Sequence, residues 1–289
     1  MTRSIGNTGR KVQPIGLGGM PLSIQGRPDE RTALAVIAAF VEGGGDFIDT
    51  ASSYCLDDDD FGHNERLIAK ALAGMGRTDI VVATKGGLTR PGGRWEVDCS
   101  PKWLRHCCEH SARTLGTPLP LYYLHTVDPA VPLADSVGEL VRLRGEGTIA
   151  AIGLSNVDAG ELEEALRLTP IAAVQNRCNV LDRRDFDNGL VQRCRELGIA
   201  YVPYSPVGGH WRRANVGDNA TLVRIAAKHS TSPYAIALAW LLAQGPHVLP
   251  IPGASKVASI ANSLSATKIV LEADDLAALD KLGTERRSR

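Results

Sequence analysis

The sequence predicts a (β/α)8 barrel of the TIM type with an N-terminal β-hairpin, occupying residues 1–289 as one domain. Three observations point there. Short apolar or β-branched runs recur eight times after residue 15, and helical stretches with recognisable start and stop residues separate them. Most of the runs are continuous rather than alternating, as strands buried on both faces of a parallel sheet should be. The 289-residue length is ordinary for one such barrel, and 44% hydrophobic content supplies its core.

In chain order, residues 3–12 carry Asn7-Thr-Gly9 at their middle and read as a β-hairpin ahead of the barrel. The eight expected strands are residues 15–18, 47–50, 80–84, 121–124, 150–154, 173–175, 200–203 and 248–251. Gly43-Gly44-Gly45 should stop the first helix, because glycine ends a helix without side-chain strain. Ser100-Pro101 and Ser232-Pro233 each place a capping hydroxyl before a proline at the first helical position, so both should open helices. Gly116 and Gly198 are expected at helix C-termini.

Composition excludes several functions. Lys and Arg total 32, as do Asp and Glu, so no net field favours nucleic acid or an anionic membrane. No run approaches the ~18 apolar residues of a membrane span, and the first ten residues lack an apolar signal core. The cysteines at 55, 99, 107, 108, 178 and 194 form no C-x-x-C pair, which argues against a zinc knuckle or disulfide framework and for a reducing cytoplasm. Asp57-Asp-Asp-Asp60 lacks the spaced ligands of a calcium loop and reads as a solvated loop. No metal is expected.

Catalysis in this architecture sits at the C-terminal ends of the strands. The second expected strand ends in Asp49, with Tyr54 five residues on, the third ends in Lys85 and the fourth in His125. Taken singly, each has a structural explanation. Together they place four ionisable groups from three consecutive strands at one rim. A tyrosine can donate a proton to a carbonyl oxygen, a lysine beside it should favour its phenolate, and an aspartate should hold that lysine charged and oriented. The histidine should hydrogen-bond the substrate oxygen.

The segments Phe47-Ile-Asp-Thr-Ala-Ser-Ser-Tyr54, Ala83-Thr-Lys85, Leu121-Tyr-Tyr-Leu-His125, Ile152-Gly-Leu-Ser-Asn156, Val174-Gln-Asn176, Val202-Pro-Tyr-Ser-Pro206 and Ile251-Pro-Gly253 resemble the aldo-keto reductase family, in the family's order and over nearly the whole chain. The resemblance implies a catalytic tetrad of Asp49, Tyr54, Lys85 and His125. It also implies an NADP cofactor, with NAD as the alternative, and a small-molecule carbonyl substrate. Ser155, Asn156 and Gln175 match positions that hold the nicotinamide carboxamide, and Tyr204 matches the aromatic that stacks on the ring. Ser205, Val207 and Gly208 would line the pyrophosphate. Gly253, Ala254 and Ser255 would meet the phosphate end, with Lys256, Ser259, Asn262 and Ser263 beyond them.

Departures from the family pattern modify these expectations. Cys178 stands where many relatives have Tyr, so an aromatic wall should be missing. Gly253 and Ser259 replace basic residues and Ser263 replaces Asn, which leaves Lys256 as the remaining cation and predicts a modest NADPH preference. The closing motifs are similar to those of bacterial reductases acting on pyridoxal, and other relatives handle sugars or small aldehydes. Some relatives instead serve as cofactor-binding regulatory subunits of channels. The complete tetrad favours turnover over that role.

Overall fold

A computed structural model describes residues 2–282, with the side chains of 210–213 excepted. The expected hairpin is present: β1 (Arg3–Ser4) pairs antiparallel with β2 (Lys11–Val12), and Thr8 Oγ1 closes the turn onto Ile5 O at 2.7 Å. Ile5 and Val12 turn inward and pack with Phe47, Val81, Leu121 and Ala200, so the hairpin plugs the N-terminal end of the barrel.

The first barrel strand, β3 (Leu17–Gly18), leads to α1 (Glu30–Glu42), which Gly43 ends as expected. Next come β4 (Phe47–Asp49), α2 (His63–Gly74) and β5 (Val81–Gly86). A second hairpin follows that the sequence reading did not anticipate, formed by β6 (Leu88–Thr89) and β7 (Glu96–Val97). The chain continues through α3 (Pro101–Leu115), β8 (Leu121–Leu124), α4 (Leu133–Gly145), β9 (Ile152–Ser155) and α5 (Ala159–Leu166). After β10 (Ala173–Gln175) come α6 (Arg184–Asp187), α7 (Leu190–Glu196) and β11 (Ala200–Tyr201). The last helices are α8 (Gly209–Gly217), α9 (Ala220–Lys228), α10 (Pro233–Ala243), α11 (Val257–Ser265) and α12 (Ala273–Leu282).

Both serine caps form. Ser100 Oγ accepts from Trp103 N at 3.3 Å and Ser232 Oγ from Ala235 N at 3.1 Å, each satisfying an otherwise orphaned helical donor. Trp211 falls within α8, and its side chain lies outside the described residues.

The sheet is parallel throughout, in the order β11-β10-β9-β8-β5-β4-β3. The eighth expected strand, residues 248–251, is present as a bridging segment rather than a regular strand. On one side Leu249 N and Ile251 N donate to Tyr201 O and Pro203 O. On the other, Pro250 O and Pro252 O accept from Gly16 N and Gly18 N, which joins the last segment to the first strand and closes the barrel. The irregularity has a local cause, since both carbonyls facing the first strand belong to prolines with no N–H to return. Closure also constrains the first strand. A Cβ at Gly18 would lie 2.8 Å from Ile251 O, so the glycine run there serves close packing of strand on strand.

Candidate active site

Asp49 ends β4, Lys85 lies near the end of β5, and His125 follows β8, so register brings three strand ends to one rim. Tyr54 reaches the same place from the loop after β4. That loop is fixed from below, because Thr50 Oγ1 donates to Asn64 Oδ1 at 2.6 Å while Asn64 Nδ2 donates to Gly19 O at 2.9 Å. Neither role of Asn64, at the start of α2, was read from the sequence. An amide in the first turn of an amphipathic helix gives no signal of inward orientation until the neighbouring loop is in place.

Lys85 is fully buried, and its three ammonium hydrogens have three acceptors: Asp49 Oδ2 at 2.7 Å, Thr50 O at 2.8 Å and Tyr54 OH at 3.1 Å. Asp49 Oδ1 accepts in turn from Gln175 Nε2 at 2.7 Å. Because Tyr54 accepts from Lys85, its own proton is directed elsewhere. His125 stands edge-on to Tyr54 with ring centroids 5.7 Å apart, and its Nδ1 is enclosed without a hydrogen-bond partner among the described residues.

Burial dominates the electrostatics. It pushes the Asp49 carboxyl up and the Lys85 ammonium down, and each partly offsets the shift of the other. Burial and then the Lys85 charge push His125 well below the usual imidazole value, so the ring is neutral. The expectation that Lys85 favours a Tyr54 phenolate needs correcting. Burial, then the Asp49 charge and the neighbouring Tyr204, hold the Tyr54 phenol well above its usual value, and the Lys85 charge is spent on Asp49.

The residues expected around a cofactor form a continuous arc on the same rim. Ser155 and Gln175 end β9 and β10 opposite one another, and Asn156 follows with a positive φ of 57°. Asn156 Nδ2 donates to His125 O at 2.9 Å and to Ser155 Oγ at 3.2 Å, while Tyr204 OH donates to Asn156 Oδ1 at 2.7 Å. Asn176, quoted in a motif but given no role, brackets the next peptide. Its Oδ1 accepts from Val157 N at 3.1 Å, and its Nδ2 donates to Val157 O and to the buried Asp185, both at 2.7 Å. Asp185 lies within α6, where nothing in the local sequence distinguishes it from a surface acid.

Beyond Tyr204, Ser205 (φ 52°), Gly208 (φ 92°) and Gly209 (φ 67°) adopt left-handed conformations at the start of α8. Val207 packs toward Ile15 and Leu238, and Ala254 is buried in the cluster that includes Leu17 and Leu22, so these two can offer a ligand only backbone. Gly253 bridges Gly18, and a Cβ there would lie 2.7 Å from Pro21 Cγ, so a larger residue has no room. Lys256 is exposed at the N-cap of α11, with Ser255 before it and Ser259, Asn262 and Ser263 on the helix. Asn262 Oδ1 accepts from Ser232 Oγ at 2.8 Å, leaving its amide hydrogens as donors.

Over residues 14–284 the chain matches the profile of the aldo/keto reductase family. The chain belongs to that family. "Probable aldo-keto reductase 1" of Glycine max is 34% identical to this aldo-keto reductase, with 94% of this chain and 86% of the relative covered. A thermostable aldo-keto reductase solved with the inhibitor epalrestat superposes with a TM-score of 0.83 at 30% identity, covering 98% of this chain and 100% of that one. An aldo-keto reductase from Klebsiella pneumoniae solved in complex with NADPH gives a TM-score of 0.80 at 25% identity, over 97% of this chain and 94% of the other.

The remaining sequence features resolve within this family frame. All six cysteines are buried and free, and burial pushes the Cys55 thiol beside Tyr54 up to about 11, which leaves it no thiolate character at neutral pH. Cys178 sits in the core rather than at the rim. The acidic run forms a short 3-10 turn at residues 58–60 whose carboxylates are anchored. Asp60 Oδ2 accepts from Arg27 Nη1 at 2.5 Å and Asp58 Oδ1 from Arg90 N at 3.0 Å. Among the described residues no group of three or more His, Cys, Asp or Glu could hold a metal ion. No described helix is long and apolar enough to cross a membrane.

Proposed function

We propose that this protein is a single-domain carbonyl reductase that takes NADPH in preference to NADH and reduces an aldehyde or ketone, reversibly, to the alcohol. The observation that carries the reading is the threefold bond of the Lys85 ammonium, which makes Tyr54 OH an acceptor and leaves its proton for a substrate oxygen. When bound, the reduced nicotinamide supplies the hydride. Tyr54 delivers the proton to the developing alkoxide, and neutral His125 hydrogen-bonds the carbonyl oxygen and sets its distance from Tyr54. The Asp49–Lys85 pair holds the phenol in place and neutralises its own charge, so the pocket gains no net charge before reaction.

The residues fit the cofactor. A carboxamide requires donors and acceptors side by side, which Ser155, Asn156 and Gln175 offer on adjoining strand ends, and the ring requires a flat face, which Tyr204 offers. The turn with left-handed Ser205, Gly208 and Gly209 suits a pyrophosphate, and the N-terminus of α11 suits the adenosine phosphate.

Cofactor turnover with pyridoxal, aldoses and small aldehydes, each tried with both cofactors, tests the reading. Reduction of at least one carbonyl, faster with NADPH, is the expected result, and absence of turnover with all of them would favour a regulatory role. Lys256→Ala should raise the KM for NADPH about two- to fivefold, the worth of one solvent-exposed charge contact, and leave that for NADH unchanged. Equal changes for both cofactors would show that Lys256 does not read the 2′-phosphate.

A further inference from the structure

We propose that Trp95, held in place by Arg90, is the specificity-determining wall of the substrate pocket and selects flat aromatic carbonyl compounds. The proposal rests on the carbonyl-reductase reading above. Trp95 lies between the strands of the β6–β7 hairpin, and its indole stands at 85° to the Tyr54 ring with centroids 6.4 Å apart. His125 flanks Tyr54 at 5.7 Å, so three aromatic rings stand in a row at the point where a carbonyl oxygen would receive its proton. A substrate whose oxygen meets Tyr54 extends along the indole.

Beneath the indole is an arrangement that a simple loop anchor does not need. The Arg90 guanidinium lies 3.9 Å from the Trp95 ring centroid and is fully buried. It donates through Nη2 to three neutral oxygens, Gln25 Oε1 at 2.7 Å, Gly93 O at 2.8 Å and Leu56 O at 3.2 Å, while Nε and Nη1 are buried with no partner. No carboxylate accepts a hydrogen bond from this buried cation; the Asp57 and Asp58 charges act on it from a distance, and the quadrupole of the ring above it adds a direct contact of a kind that strengthens when water is excluded. Arg90 therefore ties the loop after β4 to the β6–β7 hairpin and fixes the orientation of the indole between them. It is a positioning residue.

Trp95 remains 45% exposed although the guanidinium lies against its ring, so indole surface is left for a ligand. A rigid, exposed aromatic face gains most from a second flat ring and less from a flexible alkyl chain. With a cation already beneath it, the ring is less able to attract a second one, which disfavours ammonium-bearing substrates.

The test compares kcat/KM for 4-nitrobenzaldehyde and butanal in wild type, Trp95→Leu, Trp95→Phe and Arg90→Met. Wild type should prefer the aromatic aldehyde. That preference should fall about five- to tenfold in Trp95→Leu, through KM for the aromatic aldehyde, and should largely survive in Trp95→Phe. Arg90→Met should lower it in the same direction without raising the KM for the cofactor, whereas a merely structural role would move both constants together. An unchanged preference in Trp95→Leu overturns the proposal. If wild type reduces neither of these two aldehydes, the carbonyl-reductase reading is judged by the wider panel above, and titration of tryptophan fluorescence with 4-nitrobenzaldehyde decides the wall. Quenching that Trp95→Phe loses supports it, and quenching equal to wild type overturns it.

Discussion

Replacing Tyr54 with Phe should lower turnover by about 10²- to 10⁴-fold, the usual contribution of a positioned general acid, while cofactor affinity changes little. The substitution removes one oxygen and keeps the ring that contacts His125 and Trp95. The cost to the fold should be small, because Lys85 loses one of three acceptors and keeps Asp49 and Thr50. The pH dependence provides a second check. Reduction needs the protonated phenol, so its rate is present below the Tyr54 pKa and lost as pH rises through it. With that pKa held well above the usual phenol value of about 10, no alkaline limb from Tyr54 should appear near neutral pH. Near-normal turnover in Tyr54→Phe, measured at saturating cofactor, would remove the proposed mechanism.

Lys85→Met should be the other severe substitution, and it should damage stability as well as rate. It leaves the Asp49 carboxyl, 2% exposed, with Gln175 as its remaining side-chain donor. Breaking a buried pair from one side costs about 3–5 kcal/mol, because an uncompensated charge stays in the interior. The sign of the pH effect follows. Without Lys85 the folded-state pKa of Asp49 rises further above the unfolded value of about 3.9, so the destabilisation is full above the folded pKa and fades as pH falls toward the unfolded one. The gap in Tm between Lys85→Met and wild type should therefore narrow from pH 8 to pH 5. Adding Asp49→Asn removes the orphaned charge and should recover most of the lost stability, with turnover still absent. A double variant no more stable than Lys85→Met would show that burial of the Asp49 charge is not the source of the damage.

The convergence of Asp49, Tyr54, Lys85 and His125 was legible because three of them close apolar runs and Tyr54 lies five residues beyond the first, and in a parallel barrel the ends of such runs share one rim. Asp49, Lys85 and His125 inherit their positions from strand register, which hydrophobic patterning specifies strongly. Asn64, Asn176 and Asp185 were not legible in the same way. Their roles are to bond groups that the chain brings near them only after folding: Asn64 meets Gly19 O across 45 residues, and Asp185 accepts from the Asn176 and Tyr201 side chains. A polar side chain near a helix start or after a strand carries no mark of the distant carbonyl it will meet. The glycine run at Gly16-Leu-Gly18-Gly19 serves barrel closure at Gly18, a contact with a segment more than two hundred residues away that no local motif announces.

The sequence by itself determined the barrel, the order of its strands, the capped helix starts and the family, because these depend on periodicity and on local motifs that short stretches of chain carry whole. Tertiary structure decided the rest. It placed the third hydrogen of Lys85 on Tyr54 and buried the phenol, which raises its pKa where a neighbouring lysine alone would lower it, the lysine being already paired with Asp49. It also set Trp95 on Arg90 at the mouth of the site. Charge, burial and ring stacking depend on which groups share a volume once water has been excluded, and only the closed barrel determines that.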